Sequence, residues 1–392
     1  MIKRYSKSMK KRDILVIAPQ PFFIERGTPI AIDLLVRNLD NFGYSIDILA
    51  MPIGVSPNYD RIKIHRSLNY LNAKELKPGF TLKKIILEVG MVIKFITLMS
   101  KCNYRVVHAV EESIFWALLF RPVYKYLLVY DMDSSLVEQM VNRFRWLKSI
   151  ENRLESIESY VCLKSDAVIA VCNSLADKAA KAGSKNIHLL TDVANLREQA
   201  NIECKEDLNE ISQNNKIALY VGNLEAYQGV TLLYEAARLL QQDKVEICII
   251  IIGGSESDVQ YYQNKVNGDG LKNLKFLGSR PVGMLEHYLM QADILLSPRI
   301  EGSNTPMKVF NYMASARPII ATDLNTHSQI LNNERALLVP PSSVAFVNGI
   351  KKIIENEDYA QRLGSAAKEY VFREHGIDQF RRRLQIAYDT LK

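Results

Sequence analysis

Glu301 and Lys308 share one stretch, SPRIEGSNTPMKVFNYMASARPIIAT (residues 297–322), between two short apolar runs. A carboxylate in a polar loop can accept hydrogen bonds from sugar hydroxyls. A lysine at a helix start can neutralise phosphate. Phosphate alone has no use for the carboxylate, so the pair suits a ligand with both hydroxyls and phosphates. The spacing predicts the elements that hold them. The apolar run 294–296 reads as a strand and residues 299–304, which include Arg299, as a polar loop. Thr305 reads as an N-cap and Pro306 as the first helical residue. The helix runs to about Ala314, and residues 318–322 form the next buried strand. The amides of Gly302, Ser303, Asn304 and Thr305 are then available to sugar or phosphate.

Other turns repeat the strand–glycine–helix pattern. Glu25-Arg26-Gly27-Thr28-Pro29 follows the first apolar run. Gly27 allows a tight turn there, and Thr28 caps a helix over 29–42. Gly222, Asn223 and Gln228 lie in YVGNLEAYQGV (220–230). Gly253 and Gly254 close the run 247–252, where they let backbone approach a nucleotide, and Ser255 with Asp258 has capping-box spacing. His108, Glu111 and Glu112 follow a strand at 104–107. Asp131-Met132-Asp133 has the form of a metal-binding pair, but a helix cap by Asp133 or Ser134 is the preferred reading, and no metal is expected. Each feature also has a plain reading: a βα turn, a satisfied strand-end histidine, a solvated loop acid or a surface lysine.

These residues need a frame. A chain of 392 residues suits two domains, and 48% hydrophobic with 24% charged residues is ordinary for a globular protein. The net charge of +7 fits phosphorylated substrates or an anionic surface. It is modest, and no nucleic-acid module accompanies it. Five scattered cysteines without a CxxC pair argue for a reducing cytosol and against a zinc site. The basic start MIKRYSKSMKKR precedes an apolar run too short for a signal peptide. Residues 85–99 are the most apolar segment but carry Glu88, Gly90 and Lys94. They read as a helix buried on a sheet, with a membrane-surface helix as the alternative. Arg61, Lys63, Arg66, Lys74, Lys77, Lys83 and Lys84 nearby are a solvated face on the first reading and a lipid contact on the second.

Strand and helix signals alternate along the chain, which predicts α/β architecture with parallel, doubly wound sheets. Ligands of such sheets sit at the carboxyl ends of the strands. The polar stretch 195–215 separates two series. This gives a first domain at 1–194, a linker at 195–215, a second domain at 216–375 and a final helix at 376–392.

The stretch around Glu301 resembles the donor-sugar motif of the retaining GT-B glycosyltransferases of carbohydrate-active family four (glycosyl transferases group 1). Glu301 matches the motif's first glutamate. Asn311 falls near the second, in FNYMASARP where the family reads FEYMAxGxP, and Ala316 replaces a glycine. The resemblance covers nearly the whole chain. It implies the GT-B fold, two tandem Rossmann-like domains facing each other across a cleft, with a C-terminal helix that commonly crosses back. The 220–230 segment resembles the diphosphate-binding turn, with neutral Asn223 and Gln228 where the family has arginine and lysine. Lys308 and Arg299 are the nearest replacements for that charge. The resemblance assigns His108 and Glu111 or Glu112 to the sugar or acceptor side, Gly27 and Thr28 to the donor phosphate, and Asn311 to the ribose.

The implied function is metal-independent, retaining transfer of a sugar from a nucleoside-diphosphate sugar to an acceptor hydroxyl, with no other cofactor. The implied acceptor is a saccharide or lipid-linked molecule of polysaccharide or glycolipid synthesis, with no nucleic acid involved. The implied place is the cytoplasm, with the inner membrane face as a peripheral site. Two alternatives stand. One is a degenerate GT-B binding or scaffold subunit, suggested by the lost arginine, lysine, glutamate and glycine. The other is a nucleotide-sugar epimerase, for which no carboxylate–histidine pair can be assembled.

Overall fold

The structure is a computed structural model that describes residues 10–24, 27–71, 82–194 and 206–392. The chain forms two compact units, Met1–Thr191 with Arg381–Lys392, and Asp192–Phe380. Glu25, Arg26, Lys74, Lys77 and residues 195–205 of the expected linker lie outside the described residues.

Among the described residues the first unit holds seven strands: β1 (Lys10–Ala18), β2 (Ile46–Ala50), β3 (Lys63–Arg66), β4 (Cys102–Val110), β5 (Leu127–Met132), β6 (Ala167–Ala170) and β7 (Ile187–Leu189). Their order is β3-β2-β1-β4-β5-β6-β7 and every pairing is parallel. The second holds β8 (Lys216–Val221), β9 (Ile247–Ile252), β10 (Leu274–Gly278), β11 (Ile294–Ser297), β12 (Ile319–Thr322) and β13 (Leu337–Val339). Their order is β10-β9-β8-β11-β12-β13, again all parallel. Ile14–Ala18 and Ile247–Ile252 are buried along their whole length, so these strands read as unbroken apolar runs rather than alternating ones. Strand order reverses between β1 and β4 and between β8 and β11. Doubly wound sheets hold ligands at the carboxyl ends of such reversals.

Several boundaries differ from the sequence expectation. The helix Gly27–Asn41 already includes Gly27, so Thr28 lies within its first turn instead of capping it. A Cβ added to Gly27 would meet nothing within 4 Å, so no close approach requires glycine there. The helix Leu136–Arg143 is capped by Ser135, whose Oγ accepts from the Glu138 amide, and not by Asp133 or Ser134. The helix Glu256–Gly268 has the expected capping box, with Ser255 and Asp258 satisfying each other's amides. Of the expected linker, residues 206–215 are built into the second unit. Leu208 is buried, and Glu206 pairs with Arg280 and accepts from Tyr288. The helix Ile377–Asp389 ends in the first unit, where Arg381 donates to Asn38 and Arg105 donates to the Leu391 carbonyl.

Candidate active site

Two loops meet at the β8/β11 reversal. One runs from Gly222 to Gly229 and the other from Pro298 to Met307. The Ile300 amide donates to the Tyr227 carbonyl at 2.9 Å. Gly229 has φ +71, and a Cβ there would lie 1.9 Å from the Pro298 carbonyl oxygen. Only glycine permits this approach. The Arg299 guanidinium stacks 5.2 Å from the Tyr227 ring centroid. The chain therefore locks the tips of two neighbouring strands into one surface.

Lys308 lies at the centre of that surface. It opens the helix Lys308–Ala314, two residues later than Pro306 was expected to. Its Nζ sits 3.8 Å from the Tyr220 ring centroid and donates to Gln228 Oε1 at 3.2 Å. A Cβ on Gly222 would lie 2.7 Å from that Nζ, so Gly222 clears the space for it. Burial and, secondarily, the nearby Arg299 charge push the ammonium well below the ordinary lysine range. A dianionic ligand would reverse that push. Asn311 stands one turn further along the same helix face, at the limit of burial.

Arg299 does not serve as the free cation the sequence suggested. Its Nε donates to the Glu301 carbonyl at 2.8 Å, and its two terminal nitrogens donate to the Asn304 carbonyl and Oδ1 at 3.1 and 2.9 Å. It is a positioning residue that shapes the loop from within. Gly302, at φ +113, accommodates it, because a Cβ there would lie 2.6 Å from the guanidinium. Asn304 and Ser303 are accordingly engaged inside the loop, Ser303 through its carbonyl to Gln329. Thr305 does not cap the helix. It is 5% exposed, and among the described residues its Oγ1 has no hydrogen-bond partner. Glu301 is exposed at the loop tip, and among the described residues its carboxylate makes no hydrogen bond or ion pair. Asn223 is also exposed, with its carbonyl held by the Tyr220 hydroxyl at 2.7 Å.

Gly253 packs against the neighbouring strand tip, where a Cβ would lie 2.0 Å from the Gly222 carbonyl oxygen. It fixes the position of Gly222 by backbone contact and leaves no open cradle of its own.

No local pattern in the sequence marks His327. It is fully buried, and burial with the Arg299 and Lys308 charges holds its pKa down to about 3. Neutral, it donates from Nδ1 to the Thr322 carbonyl at 2.9 Å. Its Nε2 must then accept from Ser297 Oγ at 2.8 Å. Thr322 Oγ1 in turn donates to the Arg299 carbonyl at 2.5 Å. This chain of bonds ties the loop to β11 and β12.

The first-unit candidates are less accessible. His108 is fully buried, with Nδ1 2.8 Å from the Tyr388 hydroxyl and Nε2 2.9 Å from Asp131 Oδ2. Both ring nitrogens are committed, so His108 is not placed to touch a sugar. Asp131 is its partner, and among the described residues no group of three His, Cys, Asp or Glu could hold a metal. Glu111 lies at the β1/β4 reversal, where it accepts from Gln20 Nε2 at 2.5 Å and Ser134 Oγ at 3.2 Å. Burial and then the Glu112 charge raise its carboxyl to about 7, against the lowering effect of Lys84. Lys84 pairs with Glu112, and Glu88 stands 4.0 Å from the same ammonium. Glu111 thus belongs to a buried ionic network and not to an open surface.

Residues 201–370 match the family profile described as Glycosyl transferases group 1. A glycosyltransferase assigned to teichuronic acid biosynthesis in Bacillus subtilis, TuaC, is 26% identical over 183 residues, 46% of this chain and 44% of that protein. The chain spans less than half the length of the curated relatives it matches, 44% and 42%. Among solved structures, sucrose-phosphate synthase from Thermosynechococcus elongatus superposes with a TM-score of 0.78 at 18% identity, covering 97% of this chain and 99% of that one. The Anabaena protein HepE, in complex with UDP-glucose, gives 0.71 at 13% identity over 97% and 100%. The fold is GT-B.

Proposed function

We propose, from the match of residues 201–370 to the glycosyl transferases group 1 profile, that the chain is a retaining, metal-independent glycosyltransferase using a nucleoside-diphosphate sugar. The observation that carries this reading is the placing of Lys308, Gln228 and Gly222 together at the β8/β11 reversal, with Glu301 free at the adjoining loop tip. Lys308 would face the diphosphate, and Glu301 the sugar hydroxyls. The bond from the anomeric carbon to phosphate oxygen breaks while the acceptor oxygen bonds that carbon on the same face. The acceptor proton passes to the departing diphosphate oxygen, so no side-chain base is required. TuaC's assignment supports a saccharide acceptor, and the HepE complex supports a nucleotide-sugar donor. The reading is tested by incubating the protein with donors and a chelator and following release of nucleoside diphosphate. Proton NMR of the product's anomeric signal reads the stereochemistry. Inverted product, or activity abolished by the chelator, would contradict it.

The neutral residue at position 228 follows from the same geometry. An ammonium already lies 3.2 Å from the Gln228 carbonyl oxygen. Gln228→Lys, although it restores the family's residue, places two like charges together and should weaken donor binding by about tenfold or more. Adding Lys308→Met to Gln228→Lys should recover much of that loss. Tighter donor binding by Gln228→Lys alone would show that Lys308 does not occupy the diphosphate position.

A further inference from the structure

No helix among the described residues is long and apolar enough to cross a membrane. The helix Leu82–Lys101 is nonetheless apolar on both faces. Its inner face, Leu87, Met91, Phe95, Leu98 and Met99, is buried on the first sheet. Its outer face carries Leu82, Ile85, Val89, Ile93 and Ile96, exposed by 75, 51, 56, 49 and 38%. A solvated helix of this length would carry polar residues there. The neighbouring helix Ser113–Tyr124 repeats the pattern with Leu119 and Val123, 72 and 69% exposed. The two helices pack side by side, with Phe95 5.2 Å from Trp116 and 5.9 Å from Phe120. Their apolar outer stripes therefore adjoin, along roughly 18 Å of the shorter helix at 1.5 Å per residue.

The charges around this face have one sign. Lys83, Lys94 and Lys101 lie on the first helix, and Arg121 and Lys125 at the end of the second. The only acid on either helix is Glu88, which turns inward to Lys84. The end of the second helix opens on a groove lined by Lys11, Arg12, Arg105, Arg121 and Lys125, with Asp13 as its one acid. Arg12 and Arg121 are paired there with Asp47 and Asp166, while Asp13 is bonded to Ser45. The groove therefore keeps a positive excess.

We propose that this two-helix face docks on an anionic lipid bilayer, the aliphatic side chains entering the headgroup boundary and the lysines contacting lipid phosphates. A second copy of the chain fits poorly, because a twofold contact would set lysine against lysine. A protein partner would ordinarily find polar groups to bond across its interface. The outer face of the first helix offers few, and its apolar side chains are all aliphatic. Docking is independent of the proposed transfer, and it would hold for a binding subunit on the same fold.

The test is flotation of the full chain with phosphatidylcholine vesicles, with and without phosphatidylglycerol, at low and high salt. We expect binding that requires phosphatidylglycerol and falls with salt. Val89→Glu/Ile93→Glu should lower it at least about tenfold, since each exposed site loses apolar contact and gains a repelled charge. Lys94→Gln/Lys101→Gln should lower it on anionic vesicles with no change in melting temperature. A circular dichroism melt checks that each variant is folded, and nucleotide-sugar binding by the same samples reports separately on the second unit. No flotation of the wild type, or flotation indifferent to the glutamate pair in folded protein, would overturn the proposal. So would a concentration-dependent dimer, seen by sedimentation, that the glutamate pair abolishes.

Discussion

Lys308→Met should lower kcat by about a thousandfold and, at neutral pH, raise the melting temperature. The two effects share one cause. The ammonium is held among Tyr220, Gln228 and the Arg299 charge, where burial opposes its protonation. The sign follows from linkage. With the folded-state pKa below the unfolded value of 10.5, the unfolded chain binds more protons and stability rises with pH. The penalty is therefore complete below the folded pKa and fades as pH rises toward the unfolded one. The stability gain of Lys308→Met should follow the same course, largest at low pH and absent above the ordinary lysine range. A donor diphosphate should raise that pKa again, so binding should take up protons between the free and bound pKa values and weaken as pH rises through that range. Calorimetry in buffers of different ionisation enthalpy reads that uptake. A variant that is both less stable and fully active would refute the assignment.

Gly229→Val should cost about 2–4 kcal/mol of stability, combining a left-handed backbone with a collision against Pro298. That corresponds to a fall in melting temperature of roughly 5–15 °C for a unit of this size. The larger effect should be on kcat/KM, roughly a hundredfold, because Tyr227 and Ile300 would separate and move Arg299 and Lys308 with them. Gly27→Ala is the matched control. Its Cβ meets open space and its φ lies outside the left-handed region, so stability should hardly change. A Gly229→Val protein with wild-type melting and kinetics would mean the two loops are not locked together.

What the sequence reveals here is what is local. Unbroken apolar runs such as ICIIII mark buried parallel strands, and glycines after them mark strand tips that approach other backbone. Glu301, Lys308, Gly222 and Gln228 were visible as types at suggestive spacings. Their meeting was not, because Lys308 and Gln228 lie 80 residues apart and touch only once β8 and β11 are neighbours. The inward commitment of Arg299 depends on a loop conformation that composition does not report. His108 looked like a strand-end ligand because its partner Tyr388 is 280 residues away. The segment 85–99 is the expected helix on a sheet, but only one of its faces is buried. A helix apolar all round gives only a weak period, so which residues would be buried and which left bare was not legible.

The most direct measurement is calorimetric titration of a panel of nucleoside-diphosphate sugars, without added metal, into the wild-type chain, Glu301→Ala and Lys308→Met. One donor should bind the wild type. Glu301→Ala should lose discrimination between that donor and its free nucleoside diphosphate, and Lys308→Met should lose affinity for both. No binding by any donor, or equal binding by all three proteins, would contradict the proposed function and leave a GT-B fold without its donor site.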